Sequence, residues 1–566
     1  MRYKWLHNKE LHRFLRARLE LLQGIVERLA RFAIRVVVPL LIGCVPLPER
    51  AAPDRGTGMA RELEGRLQNR TVAGFMAAGK GHTPSVWLRP FYRQRSFRLA
   101  WSSAAGPLLR SDELISWLDQ VADDGLRPGD FRLELIRRVR DDCSRRPAPD
   151  CLVDLDLLLT DAFLRSATAL HRGEVLPEEV HEFWEVGSPK VNLASLLRTS
   201  IDLDQVTASL DALRPTLSGY SRLRSALRRY RSLAASGGWG PAPANGERMQ
   251  NPEVAERLRR RLRLTRDLPG ADETGEADLA RALGRFQGRH GLTRTGRLDA
   301  VTVTALQVPL DQRIEQLRLN LDRWRWLPHR QNSRYVLVRI ADYELDIIED
   351  GDVVENMRVI VGKPFWRTPI FSSWITQLVV NPRWHVPASI AEAEILPLAR
   401  SDSGYLERNR ILVHRLVGES FQPVLSRELD WQHEGVGSVR LTQLPGKRNP
   451  LGRLKFYFDN PYGVFLHDTP GIELFAAERR EVSHGCIRVE HSLELAAYAM
   501  AGESRVSELE GWIESGRTRL LKLARPLPVY VMSWTAWVDE GGVVQFRDDQ
   551  YGADARLGSR LRSTLR

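Results

Sequence analysis

The hydrophobic period of this chain changes once, near residue 330, and the change constrains what each side can fold into. Before it, apolar residues recur every three or four positions. Leu114, Leu118 and Val121 share one helical face, with Gly125 placed to cap its C-terminus. Leu159, Phe163, Ala167 and Leu170 repeat the pattern ahead of Gly173. Ile314, Leu317, Leu321 and Trp324 mark a further buried face, which Pro328 ends. Beyond it the period becomes two. Residues 335–340 and 343–348 read as strands, and Glu349-Asp-Gly-Asp352 as a hairpin turn into 353–361. Residues 375–380 are another strand, and 529–538 and 543–547 flank Asp-Glu-Gly-Gly. The expectation is a multidomain α+β protein, helical first and then β-rich.

At 566 residues the chain is too long for one ordinary core. Residues 1–58 are a basic segment with a short apolar run and a Pro/Arg/Gly-rich tether; 85–235 read as a helical scaffold. A Gly/Pro-rich linker at 234–248 precedes a small helical unit, 251–308, with three stripes. These are Val254, Leu258, Leu262; then Leu279, Leu283, Phe286; then Leu298, Val301, Ala305. A linking helix at 309–330 leads to the β-rich domain, 331–547, and a C-terminal tail, 548–566. Within the β-rich domain, 388–445 replace the strand pattern with charged, helix-compatible sequence, read as an insertion that could cap a site.

The net charge of +12 favours an anionic partner such as nucleic acid, acidic lipid or a cell-wall polymer. No zinc-finger spacing or RNA-recognition aromatic pair is present, which argues against nucleic acid. There are four cysteines. Cys143 and Cys151 flank a short polar loop and either pair, as an oxidising compartment would allow, or stay as two thiols. The apolar run ending at Cys44 is too short to span a bilayer but suits a signal core. Leu41-Ile42-Gly43-Cys44 also resembles a lipoprotein processing box. A lipidated Cys44, a cleaved signal and an uncleaved anchor all remain open. Each places the rest of the chain outside the cytoplasm, in the periplasm for a cell with two membranes.

The chemistry concentrates in Ser483-His484-Gly485-Cys486-Ile487-Arg488, with fifteen residues separating Ser483 from His467 upstream. A thiol is a weak nucleophile until a base or a positive field makes it a thiolate. Cys486 is the candidate nucleophile and His467 the candidate base. Amides of Gly485 and Cys486 could form an oxyanion hole, since glycine permits the tight backbone this needs. Arg488 could bind a substrate carboxylate or lower the thiol pKa. His484 would support the loop or the substrate, and Ser483 would hydrogen-bond locally. Trp384 and Trp366 are candidates to line the substrate path. Asp468 adjoins His467 but need not face the same way. Familiar zinc spacings are missing around His467, His484 and Cys486, so no metal site is expected.

The block from His467-Asp-Thr-Pro to Ser483-His-Gly-Cys-Ile-Arg488 resembles the L,D-transpeptidase (YkuD) catalytic domain. The likeness extends through Tyr335-Val-Leu-Val, Val361-Gly-Lys-Pro, Thr368-Pro-Ile-Phe, Asn381-Pro-Arg-Trp-His-Val-Pro387 and Asn449-Pro-Leu-Gly452. The run from Leu283 to Leu292, with Thr-Gly-Arg-Leu-Asp299 and Thr302-x-x-Ala-Leu306, resembles a three-helix peptidoglycan-binding domain. With the helical scaffold, the order of parts is similar to the large Gram-negative members of the family. The resemblance implies a cysteine-dependent acyltransferase of cell-wall biogenesis that needs no cofactor. Cys486 would take an acyl group from a tetrapeptide stem, releasing the terminal D-Ala. A diaminopimelate amine of a neighbouring stem would then close a 3→3 cross-link. The family orients its histidine through a backbone carbonyl and is acylated by carbapenems. Two other readings stay open: a hydrolase using the same thioester, or a wall-binding scaffold in which Cys486 does nothing.

Overall fold

The computed structural model describes residues 55–68, 75–78, 80–181, 183–185, 191–270, 275–327, 334–500 and 504–563. The basic N-terminal run, the Cys44 box, most of the tether and Pro328 lie outside them. Residues Met59–Arg566 form one unit with four apolar clusters, and the expected multidomain α+β class holds.

In the scaffold, α1 (Leu109–Gln120) and α2 (Leu133–Arg145) pack around α3 (Pro149–Arg172). Leu155, Leu157, Leu158 and Leu159 make α3 apolar on every side, and it is buried accordingly. Its buried Asp156 accepts hydrogen bonds from the amides of Ala100 and Trp101, each at 2.8 Å, and from the Tyr92 hydroxyl at 2.8 Å. Burial still pushes that carboxyl up to about 6. A disulfide joins Cys143 at the end of α2 to Cys151 at the start of α3, resolving the two readings in favour of pairing. The last helix of this region, α4 (Ser218–Ala235), packs elsewhere. Its Tyr220, Leu223 and Leu227 join the core of the β-rich domain.

The small helical unit comprises α5 (Pro252–Leu264), α6 (Glu276–Arg289) and α7 (Ala300–Gln307). Its first two stripes are buried as expected; in the third, Leu298 and Ala305 pack against that core and Val301 does not. Val301 is 61% exposed, whereas Val303 and Leu306 point inward. Asp299 sets that phase by accepting a hydrogen bond from the Thr302 amide at 2.8 Å, which fixes the first turn of the helix. The linking helix α8 (Leu310–Trp324) is part of the main core rather than a spacer: Leu317 and Leu321 are fully buried in it.

The β-rich domain begins with β1 (Arg334–Arg339), β2 (Glu344–Glu349), β3 (Asp352–Gly362) and β4 (Phe371–Val380). The insertion then contributes β5 (Trp384–His385), β6 (Ile411–Val417), β7 (Ser420–Val424) and β8 (Val439–Gln443). These form a separate four-stranded sheet in the order β7-β6-β8-β5, with its own core around Leu396, Leu406, Val413, Trp431 and Leu441. α- and π-helix are confined to four short stretches between Ala388 and Arg408, one of them the π-helical turn Ala391–Ile395, with one 3-10 turn, Ser426–Glu428, beyond them. The helix-compatible reading of this insertion therefore covers only its first half. β6 carries apolar residues on its solvent side as well, with Leu412, Leu416 and Val417 exposed, so no apolar/polar alternation marks it as a strand. The two ends of the insertion meet at Asn449, whose Nδ2 donates to the carbonyls of Pro382 (3.0 Å) and Leu444 (3.3 Å).

The chain returns through β9 (Leu454–Phe458), β10 (Leu466–His467), β11 (Glu481–Ser483) and β12 (Ile487–Val489). Helix α9 (Ser492–Ala499), β13 (Arg519–Met532) and the hairpin β14 (Ala536–Val538) and β15 (Val544–Phe546) follow. The main sheet has nine strands in the order β11-β3-β12-β10-β9-β4-β13-β1-β2, and β2 also pairs with β3. The expected tail contains a helix, α10 (Ala553–Ser563). Leu557 and Leu561 of α10 are buried, and Asp554 accepts hydrogen bonds from Arg323 (2.5 Å) and Thr535 (2.7 Å).

Candidate active site

Strand register assembles the site. β10 lies between β9, where Lys455 pairs with His467, and β12, which runs parallel to it with Arg488 opposite His467. Alternate residues of a strand share a face, so Phe465 and His467 project to the same side. The Ile487 amide donates to the Phe465 carbonyl at 2.9 Å, bringing Cys486 against β10. Lys455 Nζ sits 3.6 Å from the centre of the Phe465 ring. Cys486, His467, Lys455 and Arg488 thus form one electrostatic cluster.

His467 is buried, with 4% of its surface exposed. Its Nδ1 lies 2.5 Å from the main-chain carbonyl oxygen of Asp468. A carbonyl only accepts, so this nitrogen carries the proton and Nε2 is left with its lone pair. Burial is the largest cause holding the imidazole down at about 4, and Arg488 and Lys455 add to it. The Asp468 carboxylate faces away, accepting from the Arg453 amide (2.8 Å) and Nε (3.1 Å). Gly452 makes room for it: φ there is +60°, and a Cβ would stand 2.5 Å from Asp468 Oδ2.

Cys486 is partly open to solvent, with Sγ 3.9 Å from the Gly463 carbonyl. Burial pushes its thiol above the usual value, while the Phe465 amide, Lys455 and Arg488 pull it down without cancelling that rise. These directions describe a thiol and a neutral imidazole, an uncharged pair, at neutral pH. Such a pair suits general-base activation, with the base charging only as the nucleophile attacks.

The turn holding Cys486 is braced from several sides. The Ser483 hydroxyl donates to the Cys486 carbonyl at 2.6 Å and accepts from the Gly485 amide at 3.1 Å. Thr368 donates to the Gly485 carbonyl at 2.9 Å, and the Lys363 amide to the Ser483 carbonyl at 3.0 Å. Gly485 adopts φ +110°, which a side chain would strain. Because its amide is engaged by Ser483, the expected pair of oxyanion donors reduces to Cys486 N–H alone. His484 packs its ring 4.2 Å from Trp366, and its Nε2 lies 2.8 Å from Glu394 Oε1 on the π-helical turn of the insertion. Arg488 has no ion pair within 4.0 Å among the described residues, leaving its guanidinium available to an anion.

Two site residues escaped the sequence: Lys455 and Glu394. Lys455 sits in an alternating run whose pairing with β10 is a matter of register. Glu394 is distant from the motif in sequence and arrives only by folding of the insertion. Trp384, by contrast, packs against the insertion's own core and pairs with Gln443, so the tryptophan beside the motif is Trp366. The apolar demand of that small sheet decides its position.

Cys486, just ahead of β12, and the carbonyl-oriented His467 of β10 are thus brought to neighbouring, parallel strands beside a folded insertion. Residues 333–507 match the L,D-transpeptidase catalytic domain family, and residues 86–227 match the Scaffold domain family. A Haemophilus influenzae protein whose name assigns it provisionally to the L,D-transpeptidases is 30% identical over 252 residues, 43% of this chain and 49% of that protein. The chain thus spans about half the length of that curated relative. Two solved structures are more distant. An L,D-transpeptidase from Mycobacterium smegmatis is 14% identical, covering 36% of this chain and 59% of that one, at a TM-score of 0.18. One from Xylanimonas cellulosilytica is 16% identical, covering 52% and 98%, at a TM-score of 0.17. Residues 333–507 of this chain are an L,D-transpeptidase catalytic domain, and a Scaffold domain precedes it.

Proposed function

We propose that the protein is a cysteine-dependent L,D-transpeptidase acting on peptidoglycan stem peptides. The observation that carries this is that strand pairing brings Cys486 against β10, where His467 is buried with its proton held on Nδ1. His467 draws the thiol proton as sulfur attacks the amide before a terminal D-Ala, then returns it to the departing amine. The Cys486 N–H faces the developing oxyanion. The resulting thioester is attacked by the side-chain amine of a second stem, giving a 3→3 cross-link and restoring the thiol. Arg488 binds a stem carboxylate, and Ser483, His484 and Gly485 hold the turn.

The basic segment before Cys44 attaches the chain to a membrane or directs it to the periplasm, where the Cys143–Cys151 bond persists. Residues 251–308 hold the wall polymer. Cell-wall biogenesis, maintenance of cell shape and acylation by carbapenems belong to the same reading.

The test is incubation of disaccharide-tetrapeptides with wild-type and Cys486→Ala protein. Dimers from wild type and none from the variant are expected. Tripeptides alone would mean that water takes the thioester and the enzyme is a carboxypeptidase. Identical products from both proteins would remove Cys486 from the chemistry. Mass spectrometry after carbapenem treatment is expected to place the adduct on Cys486.

A further inference from the structure

The insertion presents one carboxylate to the catalytic turn, and neither strand register nor core packing requires it. Glu394 lies in the π-helical turn Ala391–Ile395, whose buried members are Ala391 and Ile395. A π turn inserts an extra residue into a helix and re-aims the side chains that follow it. Here the side chains facing the insertion's core stay buried, while Glu394 crosses to the main sheet and meets His484 Nε2 at 2.8 Å. About half of its side chain (47%) remains open to solvent. Its charge is felt by Arg488, which also feels Cys486. Lys455 and Arg488 of the main sheet therefore act on the nucleophile, and Glu394, supplied by the insertion, is the carboxylate that acts on Arg488 and meets His484.

Those cations suit a carboxylate or a developing oxyanion. They are a poor setting for the second substrate, whose reacting group is an amine carried as an ammonium ion at neutral pH. Beside two cations that ion would be repelled. Glu394 is the anion placed to offset this, and its solvent-facing half leaves room for an incoming ligand.

We infer that Glu394 is the binding residue for the acceptor's primary ammonium group, so that the insertion selects which nucleophile resolves the thioester. This rests on the transpeptidase reading above. The ammonium docks on Glu394 and gives up one proton, through the carboxylate, to solvent. The neutral amine then attacks the thioester carbonyl, a C–N bond forms and the C–S bond breaks. The second amine proton passes by way of His467 to the departing sulfur, which ends as the Cys486 thiol. The sum is ammonium plus thioester giving amide, thiol and one released proton.

The experiment uses the full chain with disaccharide-tetrapeptide as both donor and acceptor. It measures three quantities: the Cys486 thioester by mass spectrometry, the dimer-to-tripeptide ratio, and the KM for acceptor. Glu394→Gln keeps an oxygen for His484 but removes the charge; Glu394→Ala removes both. Each variant deprives the ammonium of a charge-assisted hydrogen bond. Both are expected to lower the dimer-to-tripeptide ratio about 10- to 100-fold and to raise the acceptor KM, while the adduct still accumulates. A wild-type ratio in Glu394→Gln with a defect only in Glu394→Ala would make Glu394 a support for His484 and overturn the inference. Parallel loss of adduct and dimer in both variants would do the same. If wild-type protein forms no adduct at all, the transpeptidase reading itself fails and takes the inference with it.

Discussion

In the main sheet, β1 buries Tyr335, Val336, Leu337 and Val338 one after another; in the insertion's sheet, β6 buries Ile411 and Val413 and leaves Leu412, Leu416 and Val417 exposed. The first pattern belongs to a strand covered on both faces, the second to one with a single dry face. The site draws on both. His467, Lys455 and Arg488 take their places from register within the covered sheet, where a slip of one residue would turn every side chain to the opposite face. Glu394 meets His484 from the π-helical turn of the insertion that carries the half-solvated sheet. On the proposed reading, the activation of sulfur belongs to the main sheet and the choice of acceptor to the insertion.

Breaking the covered side should cost most. His467→Ala removes the base and is expected to slow acylation by roughly 10²- to 10⁴-fold, read as the rate of D-Ala release. A pH series sharpens the point. His467 works as the neutral base and is held at about 4, so kcat/KM should stay level down to about pH 4 and fall as acidification protonates the ring. An acid limb near the ordinary histidine value would contradict the neutral-pair description.

Breaking the lighter side should be local. Trp431 anchors the insertion's core at 7% exposure and donates to the Ser426 carbonyl at 3.0 Å. Trp431→Ala is expected to remove about 3–5 kcal/mol of packing from that subdomain. Limited proteolysis should then cut first within 384–443, while the rest of the domain resists. Simultaneous digestion of both sheets would show that they are one cooperative unit. The smallest expected effect is that of Lys455→Met. Losing this cation should shift the pH midpoint of Cys486 alkylation upward, because Lys455 pulls the thiol down. A midpoint that stays in place would exclude Lys455 from the thiol's field.

Much of this was legible in the sequence, unevenly and for physical reasons. Cys486 and His467 could be read because their chemistry is compressed into a short motif at fixed spacing. The scaffold helices showed in their stripes. In the third stripe of the small unit only Val301 misled, because Val301 and Val303 are equally apolar and the Asp299 cap decides which faces in. Helix α10 did carry a signal, since Ala553, Leu557 and Leu561 recur every four residues and are all buried. Lys455 and Glu394 could not be found this way. Their closeness to Cys486 is made by strand pairing and by the return of a long insertion, and neither leaves a periodic trace.

Asn449 has a bearing on how such enzymes diverge. One side-chain amide holds the outgoing and incoming ends of the insertion side by side, so the length of chain between them does not set the spacing of the strands on either side. Residues 384–443 can then be lengthened, shortened or exchanged with little effect on the sulfur chemistry, and with them the face shown to the second substrate. A lineage could acquire a new acceptor by replacing this cassette while keeping the same nucleophile.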